Sequence, residues 1–135
     1  MDPVAEELAA LARDLPPTEA EAHARAACAE GRVRTPAARM AAAAILASSC
    51  DLASARLAHD LALGALGSDP QARSLAARCY DRMRVLEGQP QKFGTQRGPD
   101  GAPWPVDPKT TDSERAKWDL PPLAVLAARR SGEIA

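Results

Sequence analysis

The chain has 135 residues, 46% apolar and 3% aromatic, with 17 basic and 18 acidic side chains and a formal net charge of −1. A chain of this length closes a hydrophobic core without a metal or disulfide. The balanced charge lacks the basic excess that general nucleic-acid or membrane-surface binding needs, and no stretch reaches the roughly 18 apolar residues of a membrane span.

The apolar set is dominated by Ala, the strongest helix former. Ala removes little surface from water, so core energy must come from Leu, Val, Ile and Met. Cys28, Cys50 and Cys79 are odd in number and far apart, and each falls in a helical pattern, where a reduced thiol serves as a small apolar residue. The opening MDPVAEEL is acidic and lacks the charged-then-apolar order of a secretory signal. These features predict a cytoplasmic protein without a cofactor.

Taken along the chain, helix punctuation is frequent. Asp2-Pro3 opens a first helix carrying Leu8, Leu11 and Leu15, which Pro16-Pro17 ends. Thr18 with Glu21 predicts a capping box for a second helix running to Glu30 and stopped by Gly31. Thr35-Pro36 opens a third, Ala-rich helix to about Ser48. Asp51 caps a fourth, with Leu52, Leu57, Leu61 and Leu66 on its inner face. Asp69-Pro70 opens a fifth, whose Leu75, Cys79, Met83 and Leu86 form one apolar stripe ending at Gly88.

Residues 88–111 then concentrate Gly and Pro. Gln91–Gln96 and Ala102–Val106 read as extended pieces around a Gly98-Pro99-Asp100-Gly101 turn, with Pro103 and Pro105 restricting any pairing. Thr111 or Asp112 caps a short helix to Trp118, and Pro121 starts a last one with Leu123 and Leu126 inward. The caps Thr18, Thr35, Asp51 and Asp69 recur at similar intervals, but the aromatic and Gly signature of tetratricopeptide units is missing. The expected fold is all-α: a compact bundle of five to seven short helices with a small hairpin-like loop near residues 91–106. Residues 1–130 form a single helical domain and 131–135 a flexible tail.

The segment Tyr80 to Gln96 carries the densest chemistry. Gln91, Thr95 and Gln96 supply neutral, directional donors and acceptors, and Gly94 permits positive φ or close backbone approach. The segment resembles a bacterial domain-of-unknown-function family whose helix reads Asp-Arg-x-x-x-x-Glu-Gly-x-Pro-Gln before an aromatic-Gly-Thr-Gln run. Asp81, Arg82, Glu87, Gly88, Pro90, Gln91, Gly94, Thr95 and Gln96 match it, and Phe93 stands where the family usually has Tyr. The resemblance continues through Trp104-Pro105-Val106-Asp107, Glu114-Arg115 and Leu120-Pro121-Pro122-Leu123, with Ala58-His59-Asp60 similar to a His-containing helix. It spans about Leu57 to Ala128 and implies no established activity.

His59 is the acid–base candidate, since small shifts decide its charge near neutrality. Antiparallel packing of the fourth and fifth helices would set it beside Arg78–Arg82, so the loop must fold back along the pair to reach it. Glu87 opposes the helix dipole at the end of the fifth helix, which calls for a partner such as Arg82, Arg84 or Lys92 and allows a role as general base or ligand anchor. Glu19 and His23 share a helical face, but no second pair of ligands accompanies them, so no metal site is expected.

Two functional readings follow. In the first, a small polar metabolite is bound at the 87–96 loop and transformed by metal-independent acid–base chemistry. His59 and Glu87 are then catalytic, Arg82 holds an anionic group, and Gln91, Phe93, Thr95, Gln96 and Trp104 bind substrate. In the second, the chain is a non-catalytic helical module for a protein partner. Its loop is then a structural clasp, its exposed apolar face lies along the third helix, and a homodimer is among the partners allowed. Neither reading includes nucleic acid or membrane.

Overall fold

The computed structural model describes residues 2–129, so the expected tail, 131–135, lies outside the described residues. Among the described residues seven helices follow in order: α1 (Pro3–Asp14), α2 (Pro17–Ala29), α3 (Pro36–Leu46), α4 (Leu52–Leu63), α5 (Ala72–Leu86), α6 (Asp112–Lys117) and α7 (Leu123–Ala128). The fold is an all-α bundle, and among the described residues no helix is long and apolar enough to cross a membrane.

Local chemistry accounts for the helix ends. Asp2, Thr35, Asp51 and Thr111 each accept a main-chain N–H of the first turn that follows, satisfying donors that a helix cannot pair internally. The Thr35 hydroxyl also donates to the Asp2 carboxylate, so the caps of α1 and α3 are joined. At the C-terminus of α5, Gly88 takes φ +73°. There the Gln89 N–H reaches the Arg84 carbonyl and the Gly88 N–H reaches that of Val85, a Schellman closure. α6 closes the same way with Asp119 at φ 57° in place of glycine.

Three boundaries differ from the sequence reading. α2 begins at Pro17, with Pro16 as its unbonded cap; the ring of Pro17 presets helical φ at the first position, so Thr18 lies inside the helix. Glu21 instead accepts from the Ser49 hydroxyl at 2.7 Å, tying α2 to the α3–α4 link. α4 stops at Leu63, and a series of tight turns carries the chain to Ser68. α5 starts at Ala72, because Asp69 and Pro70 form a turn in which the Asp69 carboxylate accepts the Gln71 N–H. Cys50 also departs from expectation: it is exposed in the α3–α4 link, whereas Cys79 is buried.

α3 is central. It touches α1, α2, α4 and α5, and Ala38, Ala42, Ala43 and Leu46 on it are buried. One face of this helix therefore points inward, while Ala37 and Ala44 on its other side are exposed. Ala-rich composition looks thin for a core, yet small side chains let helices approach closely around one shared member. The larger contributions come from Leu8, Leu46, Leu61 and Leu75 in the same cluster, each stabilising by about 1.5–3 kcal/mol on burial. A second, smaller cluster of Ala77, Phe93 and Leu120 joins the C-terminal segment to α5. Trp118 packs against both clusters.

The stretch expected to be hairpin-like contains isolated bridges and no strand among the described residues. Arg97 pairs antiparallel with Pro103 around the Gly98–Gly101 turn, and Gln91 pairs parallel with Val106. Prolines at 103 and 105 remove the donors a longer ladder would need.

The close packing around α3 makes a specific prediction. Ala42 is fully buried, so Ala42→Leu forces extra atoms into filled space and should destabilise the protein by about 1–3 kcal/mol. Urea unfolding measures this directly; an unchanged midpoint would mean that α3 is loosely packed.

Candidate functional site

The polar loop after α5 is built around one buried acid. Asp81 on α5 is fully buried. Its Oδ1 accepts the N–H groups of Lys92 and Phe93 at 2.8 and 2.9 Å. Its Oδ2 accepts those of Gly94 and Thr95 at 3.1 and 3.0 Å, and the Thr95 hydroxyl at 2.7 Å. Four consecutive main-chain amides thus converge on one carboxylate. Burial pushes the Asp81 carboxyl up from its ordinary 3.8, and the bonds from Phe93, Thr95 and Lys92 oppose that rise.

Arg115 of α6 holds the other side of the loop. It is 2% exposed, and its Nε donates to the Phe93 carbonyl at 2.7 Å. A second nitrogen donates to the Thr110 carbonyl and the Asp112 carboxylate. Gln91 closes the loop base: its side-chain oxygen accepts the Gln96 N–H, and its amide nitrogen donates to the carbonyls of Gln96 and Trp104. Gly94 sits where α7 presses in, at φ +104°, and a Cβ there would lie 2.6 Å from Leu123 Cδ1. Both reasons for a glycine, positive φ and close approach, apply at this one position.

The residues singled out from the sequence therefore separate. Gln91 and Thr95 are buried and bonded, Gln91 to Gln96 and Trp104 and Thr95 to Asp81, and Gln96 directs its amide nitrogen to the Arg78 carbonyl and the Thr95 hydroxyl. Trp104 donates its indole N–H to the Gln89 carbonyl at 2.8 Å. Arg82 donates to the Ser49 carbonyl at 3.0 Å, in the link just after α3. Glu87 pairs with Arg56 of α4 at 3.6 Å; of its expected partners, Arg84 instead donates to the Pro90 carbonyl. His23 is exposed on α2.

His59 and Phe93, by contrast, meet at a hollow of about 240 Å³. α4 contributes His59 and Leu63 to its wall, α5 contributes Ala76, Ala77 and Tyr80, the loop contributes Lys92 and Phe93, and Trp118 follows α6. The antiparallel α4–α5 pair sets the His59 ring 5.7 Å from that of Tyr80. The loop folds back along α5, as reaching His59 requires. This places the Phe93 ring 6.4 Å from Tyr80 and 6.1 Å from Trp118. Lys92 Nζ stands 5.4 Å from the Phe93 ring centre and 2.9 Å from the Glu114 carboxylate. Burial holds the His59 imidazole below its ordinary 6.5, with neighbouring Asp60 acting in the opposite direction.

Tyr80, Lys92 and Trp118 were not among the predicted site residues. The available signal was scarcity: the chain has two Trp, one Tyr and one Phe, and three of these four rings line this hollow. A scan against protein-family models found no match, and searches of curated proteins and of solved structures found none either.

Two outcomes follow from this geometry. Asp81→Asn preserves shape but sets an NH2 against amide donors, leaving buried N–H groups unpaired, and should destabilise by about 3 kcal/mol or more. Chemical denaturation checks this; a loss under about 1 kcal/mol would show that the amides find other acceptors. The His59 ring should titrate by NMR with a midpoint below 6.5. Since the unfolded chain takes up that proton first, the associated stability is held above the unfolded value and falls as pH drops through the window between the two. A midpoint at or above 6.5 would mean that burial does not govern this ring.

Proposed function

We propose that this protein binds a small molecule in the hollow between α4, α5 and the 91–96 loop, with His59 as the group able to exchange a proton with it. The carrying observation is convergence: one of two histidines and three of four aromatic rings in an aromatic-poor chain surround one partly open space. Ligand sites pair an apolar, aromatic lining with a few polar groups that fix orientation, and here those groups are the His59 imidazole, the Tyr80 hydroxyl and the Lys92 ammonium.

Size narrows the reading. Drug-sized ligands occupy pockets of roughly 300–1,000 Å³, whereas a dry cavity of about 150 Å³ accommodates benzene. A space of about 240 Å³ suits one ring with a short polar substituent. The lowered proton affinity of His59 supports its role, because a neutral imidazole at pH 7 is the form that accepts a proton. The polar loop contributes by construction: Asp81, Gln91 and Arg115 hold the backbone that presents Lys92 and Phe93.

The test is a screen of ring-sized fragments by protein-observed NMR. Bound fragments should shift the amides of Ala76, Ala77, Tyr80, Lys92 and Phe93 together, and His59→Ala should weaken them about tenfold, the loss of one good polar contact. Shifts scattered over the surface, or none at millimolar fragment, would remove the proposal.

A further inference from the structure

We infer that the occupant of this hollow is a monocyclic aromatic acid, its ring among Tyr80, Phe93 and Trp118 and its carboxylate on Lys92. The inference rests on the reading of the hollow as a ligand site and adds the chemical class. Three observations carry it. The walls are aromatic: Tyr80 and Phe93 pack nearly edge-to-face at 73°, Phe93 and Trp118 are inclined at 57°, and all three border the hollow. A further ring beside them would gain stacking or edge contact of the kind aromatic pairs prefer. The volume of about 240 Å³ leaves room for one ring and a small substituent.

The third observation is charge. Lys92 is the one residue of the lining with a formal charge at neutral pH when His59 is in its free-base form. Aromatic faces by themselves would also attract a cation. Lys92 already occupies that role over Phe93 at 5.4 Å, so a cationic guest would meet a like charge against the same ring. Glu114 accepts from Lys92 at 2.9 Å and is partly exposed, and it lies outside the lining. A ligand carboxylate can therefore replace the Glu114 contact while Glu114 turns to water. An exposed ion pair of this kind contributes little to stability and is easily exchanged.

The experiment compares benzoate, benzyl alcohol and benzylammonium by NMR titration of the full chain, following the Lys92, Phe93 and Ala77 amides. Benzoate should bind at least about fivefold more tightly than benzyl alcohol, and benzylammonium most weakly. Lys92→Met should erase the benzoate preference, bringing benzoate to within about twofold of benzyl alcohol. Glu114→Gln should tighten benzoate severalfold by freeing the ammonium, a gain that a purely structural lysine would not produce. Binding of benzyl alcohol or benzylammonium as tight as that of benzoate would overturn the acid while leaving the hollow a ligand site. Failure of all three to shift those amides would overturn the ligand site itself.

Discussion

Five hydrogen bonds end on the Asp81 carboxylate, and the C-terminal half of the molecule is organised around them. A loop can run through a protein interior only if its main-chain groups are paired. Residues 92–95 achieve this with a single side chain from α5, whose ionised form accepts bonds about twice as strong as neutral ones. Their carbonyl side is held by Arg115 through Phe93, and the base of the loop is closed by Gln91. Taking a carboxylate out of water is costly, and the dense set of donors is what offsets that cost here. Phe93 can consequently be buried at 3% exposure on a segment without regular secondary structure.

Helix number, order and most caps were legible in the sequence because they depend on local chemistry. Asp2, Thr35 and Asp51 act within three residues of themselves, and Gly88 and Gly31 terminate helices through their own φ. Two of the three misplaced boundaries share a cause: at Pro16-Pro17 and Asp69-Pro70 a proline fits both a turn and a first helical position, and only tertiary packing decides between them. The central place of α3 in the core was hidden for a different reason. Ala reads as weakly apolar in a pattern, while in three dimensions its small volume is what admits four neighbouring helices.

The loop was less legible, for a reason specific to amides and hydroxyls. Gln91, Thr95 and Gln96 offer the same donors and acceptors to a backbone as to a ligand, and no spacing rule distinguishes the two. One clue lay in Asp81 itself, one turn after Ala77 and on the side of α5 away from the Leu75–Cys79 stripe, a second side that is also buried. An acid at such a position requires donors, and a glycine-containing stretch shortly downstream can supply consecutive main-chain N–H groups. The hollow was partly legible: antiparallel packing placed His59 beside Tyr80, but the contribution of Trp118 depended on a turn at Asp119 whose left-handed backbone the sequence does not announce.

Scaffold and site are coupled at two residues. Lys92 and Phe93 give their main-chain N–H groups to Asp81 and their side chains to the wall of the hollow. The wall is therefore fixed before anything enters it, unlike a lid that must be ordered on closing. Binding against preordered side chains loses less conformational freedom, which matters most for a space this small, where only one ring's worth of contact is available. In the proposed site, a buried acid that would not itself touch a ligand sets the positions of the side chains offered to it. The polar residues that look most like a binding motif in the sequence serve the site by shaping the backbone beneath it.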